Sequence, residues 1–562
     1  MFIKYFKLIL ILVFFYQNPL YSKSKIFNEF NSRYLANYFS GIIAYENKDN
    51  LKALKFFKSS KFLISKYDPY LIKYINSLVL EGKVQQAANE IKQNLSVNNS
   101  NFFEAYLILT LDSLKKKDFE KSRDYLKQSL EHINDDRFAL IIYESLKQYL
   151  YVFEENQILK TNKTFGNLSF INEVFQRCYL GDKNTQTYFI SLINDSNDTD
   201  YSRYIYFNIS YLIENKRFEE VKAITNQIDY LNSSLLISQG KKWVEGKKLD
   251  EFNKIFSCKN HNDIVSEFFF LIANLYSSQD NYEKSNFYLN ISHYLNPKFK
   301  FNLSLLAENY YLNSDYKKAK KILKYFNEKD DFYYWFKLKK QAQIISKELS
   351  GKESLNFINK EFKKIKDPSI KIIFDMANFN KNSKKYKNAI VYYNEIISKI
   401  DINSNIYAEI LYRRGSSYER LGDYLKSDQD LLKSLEIIPD DAYVLNYLAY
   451  SWLEREYKID SAIQMLEKAY AIRGNDPYII DSIGWAYYLV DNFLKAETFL
   501  KRAVELMPDD PIVNDHYGDI LWQLDRKIQA RYFWKSVLNL KETEDKMKKD
   551  IKVKLVEGLK NS

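Results

Sequence analysis

Apolar residues recur at helical spacing along nearly the whole chain, and the spacing restarts about every 34 residues. Ile480, Ile483, Gly484 and Tyr487 occupy i, i+3, i+4 and i+7; the turn 490–492 interrupts; Phe493, Ala496, Leu500 and Ala503 then resume the stripe. One period therefore predicts two antiparallel helices. Gly415, Tyr418, Tyr424, Ser427, Leu431, Ser434 and Pro439 are answered 69 positions later by Gly484, Tyr487, Phe493, Ala496, Leu500, Ala503 and Pro508. That interval is two periods, and repeats of this length stack into solenoids.

A small residue marks the register. It falls at Ala53, Ala87, Ser122, Val221, Ser285, Ala319, Ser354, Ala389, Ser427, Ala462, Ala496 and Ala530. Most steps are 34 or 35 residues, and the two long gaps, before Val221 and Ser285, are near three and two periods. Degenerate units fill them, about fifteen in all at this period. Small residues here have a mechanical purpose, because two helix backbones approach closely only where no bulky side chain separates them. Pro508 stops the second helix, lacking an N–H and fixing φ.

The recurring pattern is a small residue at unit position 8, Tyr at 11, an aromatic at 17, Ala or Ser at 20, a large apolar at 24, a small residue at 27 and Pro at 32. It resembles the tetratricopeptide repeat. The resemblance implies an all-α fold, a right-handed α-solenoid of antiparallel helix pairs. The expected organisation is a leader at 1–22, N-terminal repeats at 23–135, degenerate helical repeats at 136–257, central repeats at 258–400, well-formed repeats at 401–540 and a basic capping helix at 541–562. The stretch 445–540 also resembles the ends of long exported repeat proteins of bacterial envelopes.

Composition supports a folded helical chain: 46% of residues are hydrophobic and 17% aromatic, while 13 Gly and 8 Pro are few for 562 residues. Lys4 and Lys7 precede the apolar run from Leu8 to Tyr16, and a polar segment with Pro19 leads to a cut expected after Ser22. Nine apolar residues reach roughly 14 Å as a helix, less than half of a hydrocarbon core of about 30 Å. Export is therefore expected, to the periplasm or envelope, with membrane association through the N-terminus if the leader is retained. The net charge of +11, from 83 basic and 72 acidic side chains, reads as lysine-rich solvated faces. Cys178 and Cys258 stand 80 residues apart, which in an extended stack exceeds the Cα separation of about 7 Å that a disulfide tolerates. They are expected to be free.

Catalytic chemistry is poorly provided for. Cys258 and His261 form one C-x-x-H, half of a zinc site, with no second pair to complete it. No phosphate-binding glycine loop, nucleophile elbow or H-E-x-x-H is present, and His132, His293 and His516 fall within repeat helices. No enzyme activity, cofactor or metal is expected.

The resemblance instead directs attention to the first helices, which in that family line a concave groove with unit positions 2, 5, 9 and 12. Carried over, these positions give Tyr412, Ser416 and Glu419; Tyr443, Asn446 and Tyr450; Tyr478, Asp481, Trp485 and Tyr488; Asp515, Asp519 and Trp522. The candidate contacts are Tyr412, Asn446, Tyr450, Asp481, Trp485, Tyr488, Asp515, Asp519 and Trp522. Carboxylates between aromatic faces suit backbone N–H groups and lysines of a peptide, and also sugar rings. Asp481 and Asp515 have a second reading as helix N-caps. The expected function is a non-enzymatic envelope scaffold holding a peptide or protein segment. The alternative is a polysaccharide or peptidoglycan handling factor. RNA binding by pentatricopeptide-type repeats is disfavoured by the acidic groove and the leader, so no nucleic-acid partner is expected.

Overall fold

The computed structural model describes residues 32–95, 101–133, 135–194, 202–229, 231–327, 331–541 and 543–559. The leader expected at 1–22 lies outside them. Among the described residues all regular structure is helical. The α-helices in order are α1 Ser32–Glu46, α2 Asn50–Ser59, α3 Asp68–Leu80, α4 Val84–Gln93, α5 Phe103–Lys115, α6 Phe119–Ser129, α7 Arg137–Glu155, α8 Asn167–Leu180, α9 Thr185–Asn194 and α10 Arg203–Glu214. There follow α11 Phe218–Asn226, α12 Leu235–Glu245, α13 Asp250–Ile255, α14 His261–Ser277, α15 Tyr282–Leu295, α16 Phe301–Leu312, α17 Tyr316–Leu323, α18 Asp331–Glu348, α19 Gly351–Phe362 and α20 Ile370–Asn382. The last ten are α21 Tyr386–Ile397, α22 Asn405–Glu419, α23 Tyr424–Ile437, α24 Ala442–Leu453, α25 Ile459–Ile472, α26 Pro477–Leu489, α27 Phe493–Leu506, α28 Pro511–Gln523, α29 Lys527–Val537 and α30 Asp545–Glu557. None of these helices is long and apolar enough to cross a membrane.

Two compact units divide the chain: Met1–Ile228 with Ser233–Lys337, and Asp229–Asn232 with Leu338–Ser562. In the second, α20/α21, α22/α23, α24/α25, α26/α27 and α28/α29 pack as successive helix pairs. All twelve register residues, from Ala53 to Ala530 across both units, are buried. Close approach explains why. A Cβ on Gly484 would lie 2.7 Å from Leu500 Cγ, and one on Gly518 would lie 2.5 Å from Trp534 Cδ1. Capping fixes where the first helices start: Asp441 accepts from the Tyr443 and Val444 amides, Asp476 from Tyr478 and Ile479, and Asp510 from Ile512 and Val513. At the far end α30 buries Ile551 completely against the last pair, with Met547, Leu555 and Leu559 packed beside it.

The first unit is not the extended stack expected from the repeat period. Its early helices meet its late ones. Asn290 Nδ2 and Tyr310 Oη both reach Leu80 O at 3.5 Å, Lys321 pairs with Glu81 at 2.9 Å, and His261 Nε2 lies 3.1 Å from Leu114 O. The key to this closure is Asp112, a carboxylate with no exposed side-chain surface that accepts from Lys92 (2.6 Å), Lys116 (2.7 Å), Gln85 (2.9 Å) and Tyr294 (2.9 Å). Burial alone would raise its pKa, but these four donors hold it far below the usual carboxylate range.

The same folding back overturns the expectation about the cysteines. Between α8 and α14 the chain forms a doubled-back excursion in which Phe207 meets Phe175 at 5.2 Å and Phe256 at 4.6 Å. Cys178 and Cys258 thereby come to a Cα separation of 5.5 Å and form a disulfide. The argument from extended spacing failed because the chain returns to α8 just before α14, with Phe256 6.1 Å from Phe175.

Two outcomes follow. Gly484→Ala should destabilise the second unit by about 1–3 kcal/mol through overpacking, whereas Gly351→Ala, with nothing within 4 Å of the added methyl, should be neutral or slightly stabilising. Urea midpoints of the two variants measure the contrast. For the cross-link, the 80-residue separation predicts a loss of roughly 4 kcal/mol on Cys258→Ser or reduction. Non-reducing peptide mapping should recover Cys178 and Cys258 in one linked species, and their recovery as free thiols from unreduced protein would contradict the pairing.

Candidate functional site

The first helices α22, α24, α26 and α28 lie side by side in the second unit and present one continuous face. Caps on three of them come from Asp441, Asp476 and Asp510, each five residues before Asn446, Asp481 and Asp515. The capping reading of Asp481 and Asp515 is therefore set aside. Their side chains are engaged elsewhere.

Asp481 is buried, and both its oxygens lie within reach of His516 Nδ1, at 2.9 and 3.1 Å. Burial pulls the His516 pKa down, but the charge and hydrogen bond of Asp481, with Asp515 and Asp519 behind it, prevail and raise it. When protonated, His516 donates Nδ1–H to Asp481. Trp485 stacks with His516 at 4.1 Å and 12° between planes, and with Tyr488 at 4.6 Å and 9°. Two rings sharing one face at such offsets would touch each other. Tyr488 and His516 form no ring contact, so they cover opposite faces of the indole.

One helix along, the chain's own C-terminal segment occupies the acidic pair. Lys554 Nζ from α30 lies 2.7 Å from Asp515 and 2.8 Å from both oxygens of Asp519, and Trp534 Nε1 donates to Asp519 at 2.9 Å. Burial and the Asp515 charge nevertheless keep the Asp519 pKa raised against the pull of Lys554. Trp522 is covered as well. Trp534 lies at 5.3 Å, the Arg531 guanidinium stands over it at 4.8 Å, and a Cβ on Gly558 would come within 2.0 Å of its Cζ2.

Asp481, Asp515 and Asp519 are therefore paired within the fold and the rings of Trp485 and Trp522 are covered, while Tyr412, Asn446 and Tyr450 are half-buried on the open part of the face. Asn446 Oδ1 and Trp485 Nε1 are buried atoms with no hydrogen-bond partner. Tyr443 and Tyr478 are exposed, Ser416 is buried, and Glu419 accepts from Tyr447 Oη at 2.9 Å. Sequence reasoning missed Tyr447, whose ring meets Tyr412 at 5.8 Å edge-on. It also missed Lys381, since the mapping of groove positions began one repeat too late. Lys381 Nζ donates to Ser416 Oγ at 2.6 Å, and burial, aided by Arg413 and Arg420, lowers its pKa to about 8. Metal chemistry has no seat at the C-x-x-H: Cys258 is in the disulfide and His261 faces Leu114 O. Among the described residues no three His, Cys, Asp or Glu gather as for a metal ion.

The Asp481–His516 pair sets a pH dependence with a definite sign. A histidine whose folded pKa is raised stabilises fully below its unfolded value, about 6.5, and that contribution is lost as pH rises through the folded value. His516→Asn, which cannot carry the charge, should lie furthest below wild type in melting temperature at pH 6, and the gap should narrow towards pH 9. A gap that stays constant with pH would exclude a contribution from the ion pair.

With this geometry in view, comparison with known proteins is direct. The tetratricopeptide repeat family profile matches residues 408–441. A tetratricopeptide repeat-containing protein of Pseudomonas aeruginosa is 31% identical over 96 residues, 17% of this chain and 16% of that protein. Another, from Methanocaldococcus jannaschii, is 25% identical over 399 residues, 69% of this chain and 66% of that protein. The chain thus spans about a sixth of the first relative and just under two thirds of the second. Among solved structures, MamA of Desulfovibrio magneticus aligns at 21% identity and a TM-score of 0.27, covering 31% of this chain and 97% of that one. A thermophilic tetratricopeptide repeat protein of Thermus thermophilus aligns at 16% and 0.30, covering 34% and all of that chain. The matched repeat, the two relatives and the helix pairs with buried small residues at their crossings agree: the chain carries a tetratricopeptide repeat at 408–441 and resembles tetratricopeptide-repeat proteins beyond it.

Proposed function

We propose that the protein is an exported, non-catalytic scaffold that holds an extended peptide or protein segment against the first-helix face of its second unit. Helical repeats of this kind generally serve as interaction scaffolds, and the observation that carries the reading is the unused polarity on that face. Asn446 Oδ1 and Trp485 Nε1 are a buried acceptor and donor with no internal partner, flanked by half-buried Tyr412, Tyr447 and Tyr450. A buried polar group left unpaired costs about 1–3 kcal/mol, and a bound backbone offers the complementary N–H and C=O. Lys381 and Arg420 add positive charge at the near end of the face.

The disulfide supports export, since such bonds persist in oxidising compartments such as the periplasm. The apolar leader at 8–16 supports the same placement. Glycan stacking is the weaker alternative, because both faces of Trp485 and much of Trp522 are already covered by neighbouring groups.

Site-specific photocrosslinking tests the face directly. A photoreactive residue at Tyr450 in the full chain should capture a discrete protein adduct in cells, and Asn446→Ala with Tyr412→Ala should reduce its yield several-fold. The same probe at Leu425, exposed on a second helix, should not capture it. Equal capture at both positions, or an adduct indifferent to the double substitution, would sink the proposal.

A further inference from the structure

The closure of the first unit leaves a cavity of about 360 Å³ between α1, α3 and α5 on one side and α15 on the other. That volume lies within the usual range of small-ligand sites, about 300–1,000 Å³. Its buried wall is aromatic and aliphatic, formed by Phe287, Tyr288 and Leu80. Tyr288 is only 5% exposed, lines the space, and its hydroxyl makes no hydrogen bond within the protein. Two further polar groups stand beside it unspent. Asn76 Oδ1 is buried without a donor, and the Glu104 carboxylate has no hydrogen bond beyond its own backbone N–H.

The mouth carries Tyr45, whose hydroxyl donates to Glu283 at 2.9 Å, and Lys284, whose ammonium lies 3.7 Å from Asp136. Among the lining residues two carboxylates, Glu104 and Glu283, face one ammonium, Lys284, which is itself drawn towards Asp136. Burial raises the Glu104 pKa, and its own backbone N–H and Lys284, pulling the other way, do not offset that rise, to which Asp136 adds. A metal ion is a poor complement, since among the described residues no three ligating side chains converge. An organic cation is a good one. It would present N–H donors to Glu104, Glu283 and Tyr288 Oη while its methylene chain lay on Phe287, Leu80 and the ring faces.

We infer that this cavity is a binding site for an alkylammonium group, carried either by a small free amine or by a lysine side chain. It is separate from the face of the second unit and does not depend on the function proposed for that face.

Titration calorimetry of the full chain decides it, using 1,5-diaminopentane, Nα-acetyl-lysine methylamide and the neutral isostere 1,5-pentanediol. At least one amine should saturate a single site, and the diol should not. Tighter binding of the diamine assigns a free amine, and tighter binding of the lysine amide assigns a polypeptide lysine. Glu104→Gln and Glu283→Gln should each weaken the amine about tenfold or more, as loss of one charge-assisted hydrogen bond requires. Glu283 is exposed, so its substitution leaves folding intact even if the buried change does not. No saturable amine binding at millimolar concentration, equal binding of the diol, or amine binding unchanged by Glu283→Gln would overturn the inference.

Discussion

Everything in this fold depends on two helix backbones passing each other with almost no side chain between them. The tightest crossings are those of Gly484 over Leu500 and Gly518 over Trp534, where a single methyl group would overlap its neighbour. At the register positions the constraint is met by Ala or Ser, with Val at 221, all buried. Because the small residue removes bulk at the crossing, large residues on either side can interdigitate at crystal-like density. Leu431, Leu466 and Leu500, one per repeat in the second unit, fill the same place and are fully buried. The period visible in the sequence is therefore the period of a steric rule.

The rule governs pairs, and pairs alone do not determine how far a stack extends. In the second unit successive pairs continue to α30, which covers the last apolar surface. In the first unit the chain closes on itself through contacts spanning 147 to 270 positions, with Asp112 as their most heavily bonded group. A buried carboxylate with four donors is costly to desolvate and tolerable only because each donor arrives from a fixed direction. Lys92, Gln85 and Lys116 come from the early helices, and Tyr294 from α15, so closure and neutralisation of this charge are one event.

This distinction explains what the sequence could reveal. Helix pairs and their register were legible because they depend on residues within one period. The disulfide and the cavity were not, because each joins segments separated by many periods: Cys178 to Cys258, Tyr45 to Tyr288. The candidate face fell between these cases. Positions such as Asp481 and Trp485 were correctly placed on first helices, yet spacing could not disclose that His516, 35 residues on, pairs with one and stacks on the other. Asp515 and Asp519 read as groove contacts open to a ligand for the same reason. Their partner, Lys554, belongs to a helix outside the repeat pattern.

That last arrangement also fixes how α30 should be understood. If Lys554 were a stand-in for an incoming lysine, its displacement would have to leave a tolerable free state. Withdrawing it would instead strand Asp519, 4% exposed, beside Asp515, and breaking a buried pair in this way costs about 3–5 kcal/mol. Ile551 would be exposed at the same time, at a further cost of about 1.5–3 kcal/mol. A ligand competing for this place would need to recover both sums before gaining any affinity. Lys554 and the carboxylates it meets are thus part of the wall, and the open polarity of the face is confined to the stretch from Lys381 to Trp485.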